Sequence, residues 1–157
     1  MPDQSPHDNL QTQVADQIRA LISDLNQHDC SAQALAKAAS LVTQAREVLD
    51  GPLRLRWYEV DVDVDDKTAK QLSAQNRDHS LIQGQHNPLA PPVTMSTETR
   101  PDGSALIVGT ACLGLEREGP PRSVHGGMVA AIFDAVLAGV LTTAGATSSV
   151  TGKLTVR

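Results

Sequence analysis

Aromatic side chains make up only 2% of this 157-residue chain: Trp57, Tyr58 and Phe133. Any core must therefore be built from Ala, Val, Leu and Ile. Cysteine is as scarce. Cys30 and Cys112 stand far apart and form no CxxC or Cys/His spacing, so no zinc site is indicated and the usage suits a reducing, cytoplasmic setting. There is no excess of basic residues. Thirteen Lys+Arg oppose eighteen Asp+Glu, a net charge of −5, which argues against nucleic acid as a partner because phosphate binding needs a basic face. There is no long hydrophobic run either. The longest nearly apolar stretch, 128–141, is broken by Asp134 and falls short of the ~20 residues a membrane span needs. The first nine residues are polar and acidic, unlike a secretory leader. What is present is 40% hydrophobic residues, too many for a disordered chain, and a length that fits one domain or one domain with an arm.

Residues 1–56 read as a helical arm. Leu10, Val14, Ile18, Leu21, Ile22 and Leu25 recur at spacings of three and four, which makes one apolar stripe. Asp8 or Asn9 is the expected cap. Residues 26–29 supply a turn, Ser31 caps a second helix through Leu35, Ala38, Leu41, Val42, Ala45, Val48 and Leu49, and Gly51-Pro52 stops it. Such a hairpin packs on its own domain, pairs two subunits or binds a regulatory partner.

Residues 57–66 alternate, with Val60, Val62 and Val64 opposite Glu59, Asp61, Asp63 and Asp65, the pattern of a half-buried strand. The acids mimic the start of a calcium loop. However, Asp66 stands where the loop needs Gly, and Leu72 where it needs a bidentate Glu, so they read as a solvated face. A short helix from Lys67 and a loop follow. Pro88, Pro91 and Pro92 then stiffen the approach to a strand at 93–99. Arg100-Pro101-Asp102-Gly103 is a turn, and 104–113 the return strand of a hairpin. Cys112 reads as a packed thiol. A helix is expected from Gly126 to about Ala144, ended by Gly145, and a last strand at 150–157.

The helix after His125-Gly126-Gly127 is apolar around most of its circumference, so burial is expected. Asp134 lies inside it. A carboxylate there is costly unless it is paired, hydrogen-bonded or has a task. The helix start offers free N–H groups and a positive dipole end, and two glycines let another atom come close. An oxyanion hole beside a carboxylate is one outcome; a core acid satisfied by backbone amides is the other.

In order, the chain carries Asn87-Pro88-Leu89-Ala90-Pro91-Pro92, Glu118-Gly119-Pro120-Pro121, His125-Gly126-Gly127, Asp134 nine positions after His125, and Thr151. This ordered set, within residues 87–157, resembles the hotdog-fold acyl-CoA thioesterases, of the phenylacetate-degradation and THEM types. The resemblance implies an α+β hotdog fold over residues 57–157, an antiparallel sheet wrapped around the long helix, in a homodimer or homotetramer. It implies hydrolysis of an acyl-CoA, with coenzyme A part of the substrate and neither a cofactor nor a metal required. The implied catalytic residues are Asp134 as base or nucleophile from the facing subunit, the Gly126 and Gly127 amides as oxyanion donors, with Gly127 the better candidate, His125 on the carbonyl or loop, and Thr151 holding water or carboxylate. Asn87, Val124 and Met128 line the substrate, and Arg122 and Lys153 are candidate phosphate partners.

Other roles stay open for several of these. His125 suits a helix-opening role, the glycines a packing role, and Asn87 a loop cap. Thr151 has Thr147, Ser148, Ser149 and Thr155 as neighbours. A non-catalytic acyl-binding module or a structural remnant is the rival to the enzyme. The resemblance also implies further strands after the long helix where this chain supplies one. It is thus read as a fragment with low stability on its own, an expectation that a cooperative, high-temperature melt of a clean dimer counts against.

Overall fold

The computed structural model describes residues 5–56, 59, 65–91, 93–143 and 151–155. Within them the chain is α+β. It runs through α1 (Pro6–Gln27), α2 (Ala32–Val48), α3 (Asp66–Asp78), β1 (Val93–Thr99), β2 (Ala105–Ala111), a one-turn 3-10 helix (Leu115–Arg117) and α4 (Gly126–Thr143). β1 and β2 pair antiparallel, with Val93 opposite Ala111 and Thr99 opposite Ala105.

Local chemistry sets most boundaries. Ser5, not Asp8 or Asn9, caps α1: its Oγ accepts from the Asp8 N–H at 3.2 Å, and Pro6 follows at the first helical position. Proline costs nothing there, because its missing N–H would be unpaired anyway. Ser31 caps α2 as expected, accepting from Ala34 N–H at 3.3 Å. Asp65 caps α3 through two backbone N–H groups, of Lys67 and Thr68, both at 2.9 Å. Those bonds and the Thr68 hydroxyl hold its carboxyl below the usual carboxylate range. The strand expected over 57–66 is not seen at its described residues: Glu59 lies in a 3-10 turn, Asp65 is the cap and Asp66 opens α3, and the other positions lie outside the described residues. The hairpin turn closes through Gly103 N–H to Arg100 C=O at 2.9 Å, with Gly103 at φ 82°, where a side chain would be strained.

α4 lies on β2, and two glycines let it come close. A Cβ on Gly109 would sit 2.7 Å from Cγ2 of Val136; one on Gly139 would sit 3.0 Å from Cε of Met95. α1 packs on the 3-10 turn, and Ala15 and Ala90 are buried.

Three expectations change. α4 is not buried all round: Phe133, Leu137 and Val140 are exposed at 58%, 50% and 46%, because a two-stranded sheet covers one side only. Cys112 is exposed rather than packed. Residues 151–155, the described part of the expected last strand, carry no strand. A strand needs a neighbour for its N–H and C=O groups, and these residues pair with no strand among the described residues.

Candidate functional site

The segment before α4 is a small closed loop. Glu118 and Val124 form an antiparallel bridge. Within it Ser123 N–H donates to Pro120 C=O at 2.9 Å, and Gly119 N–H to Ser123 C=O at 2.9 Å. Pro121 and Arg122 are the central turn residues. Arg122 has φ 63°, the left-handed position that type II turns normally give to Gly; for a residue with a Cβ it costs on the order of 1–2 kcal/mol. Its N–H donates to Glu118 Oε1 at 2.7 Å, which helps to hold the loop.

His125 then opens α4. Its carbonyl accepts from Met128 N–H at 2.9 Å and Val129 N–H at 3.2 Å. Its ring Nδ1 accepts from the Gly127 N–H at 3.1 Å. Accepting at Nδ1 places the ring proton on Nε2. The imidazole thus does the work of a helix-capping side chain. Of the two glycine amides proposed as oxyanion donors, Gly127 already has a partner. Gly126 N–H makes no bond among the described residues and has open space beside it. His125, Gly126 and Gly127 are exposed, Val124 is exposed at 37%, and Met128 is half-buried.

Asp134 is half-buried, and its Oδ1 is buried with no hydrogen-bond partner among the described residues. Beside it in sequence, the Ala135 carbonyl accepts from Gln83 Nε2 at 3.2 Å, which ties the loop after α3 to the middle of α4. Asn87 does cap its loop. Its Nδ2 donates to His79 C=O at 3.1 Å, and its Oδ1 accepts from Leu89 N–H at 3.0 Å. Thr151 and Lys153 are exposed, with no hydrogen bond or ion pair to Asp134 among the described residues.

Two residues that the sequence reading passed over hold these segments together. Arg19, on α1, donates to four carbonyls: Ala90 at 3.1 Å, Gly84 at 3.2 Å, Gln85 at 3.0 Å and Asn87 at 2.8 Å. Arg117 donates through Nη2 to Leu89 C=O at 3.0 Å, while its carbonyl accepts from His125 N–H at 2.9 Å. The Asn87 loop is thereby pinned from α1 on one side and from the approach to His125 on the other. Neither arginine belongs to a spaced motif; for Arg19 the available signal was a lone cation on α1. Beside the loop lies a cavity of about 350 Å³ lined by Leu113, Leu115, Arg117, Arg122 and Val124, with Gln27 of α1 at its edge. Among the described residues, no group of three or more His, Cys, Asp or Glu is placed to hold a metal ion, and no helix is long and apolar enough to cross a membrane.

Comparison with protein-family models, with curated proteins and with solved structures gives no match.

Proposed function

We propose that this chain is a hotdog-type thioesterase that hydrolyses acyl-CoA to a free acid and coenzyme A. The observation that carries the reading is Asp134. A carboxylate oxygen without a partner among the described residues sits in an apolar helix whose first turn presents a glycine N–H that makes no bond among them. A buried acceptor left unpaired costs roughly 1–3 kcal/mol, a cost that a role toward an incoming molecule explains. The order of hairpin, His-Gly-Gly turn and helix, with the helix on β2, is also what the reading requires.

Helix geometry adds a condition. At 1.5 Å rise per residue, Asp134 lies about 10 Å along the axis from Gly127. One copy cannot address both sides of a single carbonyl with these groups. The site is therefore shared: amides from one copy, Asp134 from the other, in a homodimer or homotetramer. Asp134 takes a proton from water as its oxygen bonds to the thioester carbon. The carbonyl oxygen becomes an oxyanion held by Gly126 N–H, and by Gly127 N–H once the His125 ring turns away. Collapse breaks the C–S bond, and the proton passes from Asp134 to the leaving sulfur. Direct attack by Asp134, giving a mixed anhydride that water then cleaves, uses the same groups. Arg117 and Arg122 at the cavity suit the phosphates of the thiol carrier.

A second reading, an acyl-binding module without turnover, draws on the Gly127 N–H being satisfied already by His125. Thiol release from short, medium, long and phenylacetyl-CoA separates the two. The thioesterase reading expects release that falls at least 100-fold in Asp134→Asn, within the range for a lost general base. Unchanged release in that variant removes the mechanism. Binding without release by a folded oligomer selects the module.

A further inference from the structure

We infer that His125 is a displaceable cover on the Gly127 amide: its ring holds that donor in the resting chain and yields it when charge develops on a substrate carbonyl oxygen. The inference rests on the thioesterase reading, because it concerns how a donor of that same site is released.

Three features set this ring apart from an ordinary helix cap. First, the backbone of His125 is fixed while its ring is not. Its N–H donates to Arg117 C=O at 2.9 Å, and its own carbonyl accepts from Met128 and Val129 N–H. A Cβ on Gly119 would sit 2.8 Å from the His125 Cα, so the loop closes tightly against the main chain. The residue is nevertheless exposed. Rotation of the side chain alone uncovers the Gly127 amide, and exposed side chains change rotamer within nanoseconds.

Second, the two glycines are not equivalent. A Cβ on Gly127 would lie 3.1 Å from the ring Nδ1 and 3.2 Å from Cε1, whereas one on Gly126 would meet nothing within 4 Å. The ring thus lies over Gly127 and leaves Gly126 open. A carbonyl can reach the Gly126 N–H at once, but must displace the ring to reach the Gly127 N–H.

Third, the competing acceptor is a neutral nitrogen. A hydrogen bond to an ionised oxygen is roughly twice as strong as one to a neutral acceptor. A ground-state carbonyl therefore gains little by replacing the ring, while an oxyanion wins the amide. Gly127 then acts mainly in the transition state, which is where a donor raises the rate. The ring keeps its Nε2 proton throughout, so the exchange of partners moves no proton.

The experiment uses the full chain and thiol release from the acyl-CoA panel. His125→Ala should raise kcat/KM about 3–10-fold, the size of one neutral hydrogen bond that no longer has to be broken. His125→Asn keeps an accepting side chain at the helix start and should stay within about 2-fold of the parent. Hydrogen exchange at the Gly127 N–H, read by NMR, should be faster in His125→Ala than in the parent or His125→Asn. If His125→Ala loses helicity by circular dichroism, His125→Gly takes its place, since glycine is tolerated at a cap. A histidine that binds the carbonyl itself predicts the opposite, a loss of turnover in both variants. A kcat/KM that falls or stays level in His125→Ala, one that rises as much in His125→Asn, or equal Gly127 exchange in all three chains overturns the inference. Release that still depends on Asp134 would leave the thioesterase reading standing in those cases, whereas no release from the parent or either variant removes both.

Discussion

α4 and α2 belong to differently built regions. Around α4 and the Asn87 loop, residues distant in sequence interlock. Arg19 reaches carbonyls 65 to 71 positions away, Gln83 reaches α4, and Gly109 admits Val136. In α2 the caps and the periodicity are as good, yet no side chain is buried. Good local signals thus produce a helix in both places, but only the first has long-range contacts that decide what the helix touches. An amphipathic stripe states that something covers it, not what. A substitution should therefore be felt in the first region and hardly noticed in the second unless it changes assembly.

The largest effect that sharpens this contrast is expected at Arg19. Hydrogen bonds from a charged group contribute about 1.5–3 kcal/mol, and here one guanidinium, 19% exposed, serves four carbonyls. Arg19→Ala should lower stability by about 3 kcal/mol in a urea titration. Arg46→Ala, on the open side of α2, should stay within about 0.5 kcal/mol. Equal losses at the two arginines would erase the distinction between the regions.

A smaller effect is expected where α4 meets the sheet. Gly109→Val places methyl groups where Val136 already sits, and overpacking of this kind costs about 1–3 kcal/mol. A β-branched residue favours a strand, so a stabilised variant would mean that α4 does not bear on β2 in solution. Ala39→Leu in α2 should change stability by less than about 0.5 kcal/mol.

The hairpin 93–111, the opening of α4 at Gly126 and the Ser31 cap could all be read from the chain because turn, strand and cap signals act within a few residues. Ser5 was missed because Asp8 and Asn9 are equally good cap residues by type; Pro6 at the first helical position was the deciding clue. The burial of α4 was overstated because composition reports what a helix can bury, not how much sheet is there to cover it. His125 was weighed for a role on the carbonyl or the loop, but the bond from Gly127 N–H to its Nδ1 depends on a ring orientation that spacing does not encode. Arg19 and Arg117 act on backbone carbonyls, which carry no sequence identity. For that reason the residues that assemble the candidate site were the hardest to foresee.

The smallest effect concerns pH, and it belongs to the first region alone. His79 follows α3 and stacks edge-on with His86, ring centroids 5.4 Å apart. Burial, then Arg54 and His86, push its pKa below the ordinary histidine value, with Asp78 acting weakly in the opposite sense. The folded chain then binds fewer protons at this site than the unfolded chain. Stability from neutral His79 is fully present above about pH 6.5, the unfolded value, and is lost as the pH falls from there through the lowered folded value. Asp8, Asp65 and Asp102 are lowered by their capping and turn hydrogen bonds, so their contribution fades in a separate window, below about pH 4. The melting temperature should therefore drop slightly between pH 7 and pH 5, and His79→Gln should flatten that drop while leaving the acid limb below pH 4 in place. A drop that survives His79→Gln would assign it to another group and leave the loop around Asn87 without a part in it.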